Sequence, residues 1–416
     1  MKSLINFLLL FIITFMIMPV ISNSQDIKID WGGFVKTDII YDSRQNFSLR
    51  EGHFLLWPEQ EVFDVDGKDL NAKSNFNILS IQTRIQGKIT GPEVFGAKTS
   101  AYLEGEFFGS TDANINSFRL RHAYVDINWE STQIRLGQFW HPMFITECFA
   151  NVLSFNTGAP FQPFTRNPQI RVKQKIVDGF SVSLAAITQR DFQSDGPDGL
   201  SPKYLRNATI PNLNFGLQYL STNLLIGANA DYKQLLPRLN TSQNYQTDET
   251  VNSMSFLGYL KLNFGDFCFK VEGIYGQNAT DWMMLGGYAL ASYDSTKGFE
   301  TYTPISSLSL WSDIAYGKQL EVGVFAGYSK NLGAVDNISE INRTGGKYYY
   351  GRIPNCDNLM RVSPRIAYTV GKFKTGVELE YTQASYGTND NKDKGKVINT
   401  KTVSNMRILG VVFIYF

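Results

Sequence analysis

The chain has 416 residues, with 39 Lys and Arg against 38 Asp and Glu, a balance that offers nucleic acid no basic surface. Aromatics make up 14%, with 21 Tyr and 30 Phe, and 35 Gly accompany 14 Pro, a mixture that favours strands over helices. Past residue 24 no run of about 18 apolar residues occurs, which excludes a transmembrane helix there.

Residues 1–24 read as a signal peptide. Lys2 supplies the positive start, Leu4 to Met18 the apolar stretch, and Ser22-Asn23-Ser24 the small and polar residues near a cleavage point. The rival reading is a membrane anchor, but the apolar run of about 15 to 18 residues is short for a span. Residues 25–416 then form one exported domain. Cys148, Cys268 and Cys356 lie far apart with no CxxC or metal-ligand spacing, so they read as free thiols and neither metal nor cofactor is expected. Whether Cys148 and Cys356, both in expected outer loops, form a bridge is left open by the sequence.

From Ile27 onward apolar and polar residues alternate with a period of two. DWGGFVKTDIIY sets Trp31, Val35, Ile39 and Tyr41 opposite Asp30, Lys36 and Asp38. NFGLQYL sets Leu213, Phe215, Leu217 and Tyr219 opposite Asn214, Gly216 and Gln218. DFCFKVEGIYG sets Phe267, Phe269 and Val271 opposite Cys268, Lys270 and Glu272. Short turns fall at 90–96, 128–132, 177–180, 220–223, 263–266, 316–319 and 370–373. Longer polar loops fall near 42–74, 110–116, 140–167, 191–210, 235–250, 278–300, 331–358 and 387–400. Strict alternation of the two kinds predicts about 16 strands in an all-β transmembrane antiparallel β-barrel, with short periplasmic turns and long extracellular loops. A soluble sandwich or propeller gives no reason for that alternation. In the last strand Ile408, Gly410, Val412, Ile414 and Phe416 are expected to face lipid, yet Leu409, Val411 and Phe413 share the inner face with Arg407.

Parity places Gln82, Arg84, Gln86 and Lys88 inside, with Ile81, Ile85 and Ile89 outside. Further along, Lys98, Glu104, Glu106, Arg135, Arg171, Lys173 and Lys175 point inward. So do Asp231, Lys233, Arg361, Arg365, Lys372, Lys374, Glu378 and Glu380. By this rule about 17 bases and about 10 acids line the interior. Side chains of that kind need water, and 16 strands leave an aqueous lumen. The surplus of bases favours anions. Arg171, Lys173 and Lys175 form the densest basic ladder.

Two stretches break the pattern. In FRLRHAYVDINW, parity turns Arg119 and Arg121 outward. They lie above the lipid, or a bulge flips the register, or they sit in a subunit contact. Loop 140–167 is apolar, with Phe144, Phe149, Phe155, Phe161 and Phe164. Such a loop needs a packing surface, and folding into the lumen would supply one, narrow the pore and set Glu147 opposite the basic ladder.

GGFVKTDIIYDS (32–43), FRLRHAYVDINW (118–129) and IRLGQFWHPMF (134–144) resemble DcaP-like porins of Gram-negative outer membranes. The resemblance covers about the first third of the chain and implies a sixteen-stranded, trimeric porin. Its basic, narrowed pore would pass small anionic solutes such as dicarboxylates. It makes Arg84, Arg135, Arg171 and Lys173 constriction candidates, and it implies that barrel-assembly machinery reads Phe416. The chain departs from members that carry an N-terminal coiled coil, because its first strand begins soon after the leader.

The expected function is therefore passive diffusion through an outer-membrane channel, with outer-membrane lipid around it. A catalyst is not expected: His53, His122 and His141 stand without a nucleophile at a recognisable spacing. A barrel-anchored adhesin or receptor is the alternative, with loops 42–74 and 331–358 as the binding surface. An energy-coupled transporter would need a plug domain, for which no room is seen before Ile27.

Overall fold

The computed structural model describes residues 27–338 and 347–416. The leader expected at 1–24, and part of the loop expected at 331–358, lie outside the described residues. In chain order the strands are β1 (Lys28–Asp42), β2 (Asn46–Leu49), β3 (Phe54–Pro58), β4 (Asn75–Leu79), β5 (Arg84–Val94), β6 (Ala97–Glu106) and β7 (Arg119–Asn128). Next come β8 (Thr132–Trp140), β9 (Arg166–Val177), β10 (Phe180–Ile187), β11 (Asn212–Leu220), β12 (Leu224–Leu235), β13 (Val251–Phe264) and β14 (Phe267–Gln277). The rest are β15 (Gly287–Tyr293), β16 (Glu300–Tyr316), β17 (Leu320–Ala334), β18 (Tyr349–Tyr350), β19 (Cys356–Val370), β20 (Phe373–Asp390) and β21 (Lys396–Tyr415).

They build a closed 16-strand antiparallel barrel. Two short strands, β4 and β5, make one wall strand, since both pair with β1. The β2–β3 hairpin stands apart as its own small sheet, and β15 and β18 extend from loops. Closure comes from β1 against β21, in register from Phe34↔Tyr415 to Asp42↔Arg407. Both sheet edges vanish, so every wall strand finds a backbone partner without water.

The two faces separate as a period of two requires. Val35, Ile39, Tyr41, Ile408, Val412 and Ile414 are exposed on the outer wall, while Lys36, Asp38, Asp42 and Arg407 are buried within. An apolar belt outside and ionic groups inside is the pattern of a barrel solvated by lipid. Leu213, Phe215 and Tyr219 face out as expected, and Lys270 and Glu272 face in.

Two expectations are corrected. Ile81, expected on the lipid side, is buried in the interior. The wall breaks between Leu79, which faces Asp38, and Arg84, which faces Phe34. The four residues between them oppose three on β1, and the extra residue flips the parity. The loop expected at 387–400 is mostly strand, because β20 and β21 run on to Asp390 and from Lys396.

The interior holds a hydrophobic core. Phe54, Leu56 and Trp57 of the β2–β3 hairpin join Met143, Phe155 and Phe161 of the segment between β8 and β9. Wall residues Leu409, Val411 and Phe413 belong to the same cluster. The weak alternation of the last strand thus has a packing cause: its inner face meets apolar loop residues rather than water.

Candidate functional site: the passage beside the inward segment

The segment 141–165, between β8 and β9, runs across the barrel interior. Its backbone is held by polar side chains from distant wall strands. Lys270 Nζ donates to the Phe149 carbonyl at 2.8 Å and to Asn151 Oδ1 at 2.7 Å. Lys36 Nζ donates to the Leu153 carbonyl at 3.1 Å, and Ser309 Oγ to the Phe161 carbonyl at 2.8 Å. The Glu378 carboxylate accepts the backbone N–H groups of Leu153 and Ser154. Arg361 Nη1 donates to the Ala159 carbonyl at 2.9 Å, and Nη2 to the Leu56 carbonyl at 3.0 Å, tying both inward loops to β19. These charges stand in for the water that the buried loop backbone lacks.

The two loops pack most heavily on β14 to β21 and β1, and the space left open lies along β5 to β13. Two contiguous cavities, about 490 Å³ and about 240 Å³, lie there and share Phe139, Phe144 and Thr146. Arg135, Arg171, Lys173 and Glu147 all line the smaller cavity, and Arg84 lines the larger one.

Their electrostatic states differ. Arg135 grips Asp126 with two hydrogen bonds, 2.8 and 2.7 Å. Its guanidinium lies over the rings of Tyr124, at 4.1 Å, and Phe139, at 4.0 Å. Arg171 donates to Gln169 Oε1 and to the Trp140 carbonyl, each at 3.0 Å. Among the described residues no carboxylate bonds to it, and Lys173 has no ion-pair partner either. Glu147, exposed on the inward segment, accepts from Thr146 Oγ1 at 2.8 Å and faces these cations.

The other sequence candidates lie elsewhere. Lys88 is exposed outside both cavities, in register with Asp30 and Tyr102. Lys175 ends the ladder at the turn, bridged to Asp178 at 2.6 Å. Arg361 is 1% exposed and serves the loops. Arg365 is bound to Asp313 at 2.6 Å and to Glu321 at 3.1 Å. Both point inward as parity requires, but neither faces the open passage, because the inward loops cover that half of the wall.

Of the three explanations for Arg119 and Arg121, the bulge is the one found. Glu104 faces His122 and Gly105 faces Leu120, so Arg121 is an extra residue on β7. Leu120 turns to the lipid side, and both arginines turn in. Arg121 binds Glu104 at 2.5 Å and Glu106 at 2.7 Å, while Arg119 binds Glu106 at 2.7 Å. Arg84 reaches Glu106 at 3.1 Å. Arg166, which sequence reasoning missed, joins through Asp191 at 2.5 Å. Burial alone would raise the Asp191 carboxyl, but Arg166 and Arg119 hold it below the usual range. The β2–β3 hairpin was missed too, although FLLW inside a polar loop is the signal that marks it.

Three loop groups are shut off from solvent chemistry. Burial pushes the Cys148 thiol up to about 12, and all three cysteines are free. Burial lowers His53 below the ordinary histidine value, partly offset by Asp38 at 3.0 Å. His141 is lowered by burial as well, with Asn212 at 3.0 Å and Asp231 at 3.7 Å beside it.

A closed sixteen-stranded wall, an apolar outer belt and an inward segment beside a charged cavity define a transmembrane β-barrel of the outer-membrane type. More particularly, the fold is similar to that of the outer membrane channel DcaP of Acinetobacter baumannii, with a TM-score of 0.66 and 14% identity over 96% of this chain and 100% of that one. An anion-selective porin from Comamonas acidovorans gives 0.54 and 12% over 94% and 100%. OmpT of Vibrio cholerae in a trimer form gives 0.55 and 9% over 94% and 100%. No family model matches the chain, and no curated protein does. The DcaP-like resemblance of the three sequence stretches is thus met at the level of fold.

Proposed function

We propose that the protein is an outer-membrane porin, a water-filled channel for passive diffusion of small hydrophilic solutes with a preference for anions. One observation carries the reading. Arg171 and Lys173 stand without carboxylate partners among the described residues, on the wall of a cavity that the inward segment narrows. Cations left unpaired in a narrow aqueous path raise the local concentration of anions. Arg84, Arg135 and Glu147 complete the constriction.

The rest of the proposal follows from the same setting. Residues 1–24 direct export, Phe416 is read by the barrel-assembly machinery, and three copies assemble in the outer membrane. The trimer draws support from the trimer form of the Vibrio cholerae neighbour, and the anion preference from the Comamonas acidovorans neighbour. The competing reading keeps the barrel as an anchor for surface loops. Purified protein in a planar lipid bilayer separates the two. Stepwise single-channel currents are expected, and a folded barrel without current steps would hand the function to the loops.

A further inference from the structure

The larger cavity is lined by more aromatic surface than an ion path needs. Tyr102, Tyr124 and Phe139 stand on the wall strands β6, β7 and β8, each with part of its ring exposed. Phe144 and Phe149 of the inward segment line the cavity with them. The rings are already arranged as stacking faces: Tyr102 on Tyr124 at 5.4 Å, and Phe144 on Phe149 at 5.7 Å. Tyr102 Oη is engaged by Gln86 at 2.7 Å and Glu104 at 2.9 Å, which leaves its ring face as the surface on offer. Buried aromatics elsewhere in the loop, such as Phe155 and Phe161, are spent on packing. The wall rings keep a side on the cavity, although Arg135 already covers one part of Tyr124 and Phe139.

Phe139 and Phe144 line both cavities, so the aromatic zone runs directly into the cationic zone of Arg171 and Lys173. We propose that this junction is a binding site for a small aromatic monocarboxylate. Its ring lies between the wall rings and Phe149, and its carboxylate meets Arg171 and Lys173. The proposal rests on the channel reading for how the ligand arrives, but the site itself is a matter of geometry.

Charge bookkeeping fixes one carboxylate rather than two. The arginines that line the aromatic zone, Arg84 and Arg121, are held by Glu104 and Glu106. A second carboxylate would therefore enter the ring zone with no free cation among the described residues to meet it, and desolvation would penalise it. Glu104 is balanced by the same arginines, so it does not repel the anion, and Glu147, the carboxylate that lines the cationic zone, is outnumbered there by Arg171 and Lys173. Stacking between rings is directional, which separates a flat ring from a saturated one of equal charge and similar size.

The test uses the purified full chain in detergent, with benzoate, cyclohexanecarboxylate and acetate as probes in saturation-transfer NMR. Benzoate is expected to bind about three-fold tighter than cyclohexanecarboxylate and about ten-fold tighter than acetate. Phe149→Leu, which keeps apolar bulk but removes the ring, is expected to erase the first difference. Lys173→Gln is expected to weaken benzoate and cyclohexanecarboxylate alike. Equal binding of benzoate and cyclohexanecarboxylate by the unaltered protein overturns the proposal, and that comparison needs no variant. Bilayer currents read the channel separately. Benzoate bound by a barrel that carries no current keeps the site and removes the channel. Current without benzoate preference removes the site and keeps the channel.

Discussion

Two histidines hold the inward loops in a state that acid opposes. His53 sits against Asp38, which also binds Lys36 at 2.8 Å, and His141 sits between Asn212 and Asp231. Both have folded values below the ordinary 6.5. The unfolded chain therefore takes up protons near that pH, and the folded chain does not. Stability is full above about pH 6.5 and falls as the pH drops below it, by up to about 1.4 kcal/mol per pH unit for each group. Denaturant unfolding followed by tryptophan fluorescence between pH 7.5 and 5 reads this slope. His53→Gln with His141→Gln is expected to flatten it, and an unchanged slope would show that other groups carry the acid response. No spacing or motif marks a role for these histidines, because their partners Asp38, Asn212 and Asp231 come close only once the loops fold inward.

At the scale of elements, the wall was legible and its filling was less so. Alternation alone located β1, β11 and β14 and their outward faces, because a slip of one residue would send Lys36 or Lys270 into lipid. Alternation failed at Ile81 and at Arg121, where single extra residues reset the parity. A bulge leaves no composition mark of its own, although two outward arginines signalled that something had shifted. The phenylalanines of 140–167 marked a loop in need of a surface. Which wall strands it would meet depended on contacts far apart in sequence, such as Ser309 with Phe161. One such contact gives a test. A Cβ on Gly327 of β17 would stand 2.5 Å from the Phe161 ring, so the loop rests there on bare backbone. Gly327→Val is expected to push the ring away, at a cost of about 1–3 kcal/mol, and to change the single-channel conductance. Wild-type conductance in a destabilised protein would mean that the segment's position does not set the passage.

For the whole molecule, the proposed function follows from an asymmetry. Two loops fill the half of the lumen beside β14 to β21 and carry with them Arg361, Arg365 and the acids Glu378 and Glu380. The half beside β5 to β13 stays open. There Arg135 is already neutralised by Asp126, while Arg171 and Lys173 are not. Counting inward charges over the whole wall could not separate these groups, since most of the cations so counted are occupied by loops or carboxylates. In the proposed channel, selectivity rests on a few unpaired side chains rather than on the overall balance of the lumen. The most direct test is the reversal potential of single channels across a potassium chloride gradient, for the unaltered protein and for Arg171→Gln with Lys173→Gln. The unaltered channel is expected to reverse on the chloride side. The double variant is expected to lose at least about half of its anion preference, a change of about 0.4 kcal/mol. Reversal on the potassium side in the unaltered protein, or no shift in the variant, would contradict the assignment of the passage to Arg171 and Lys173.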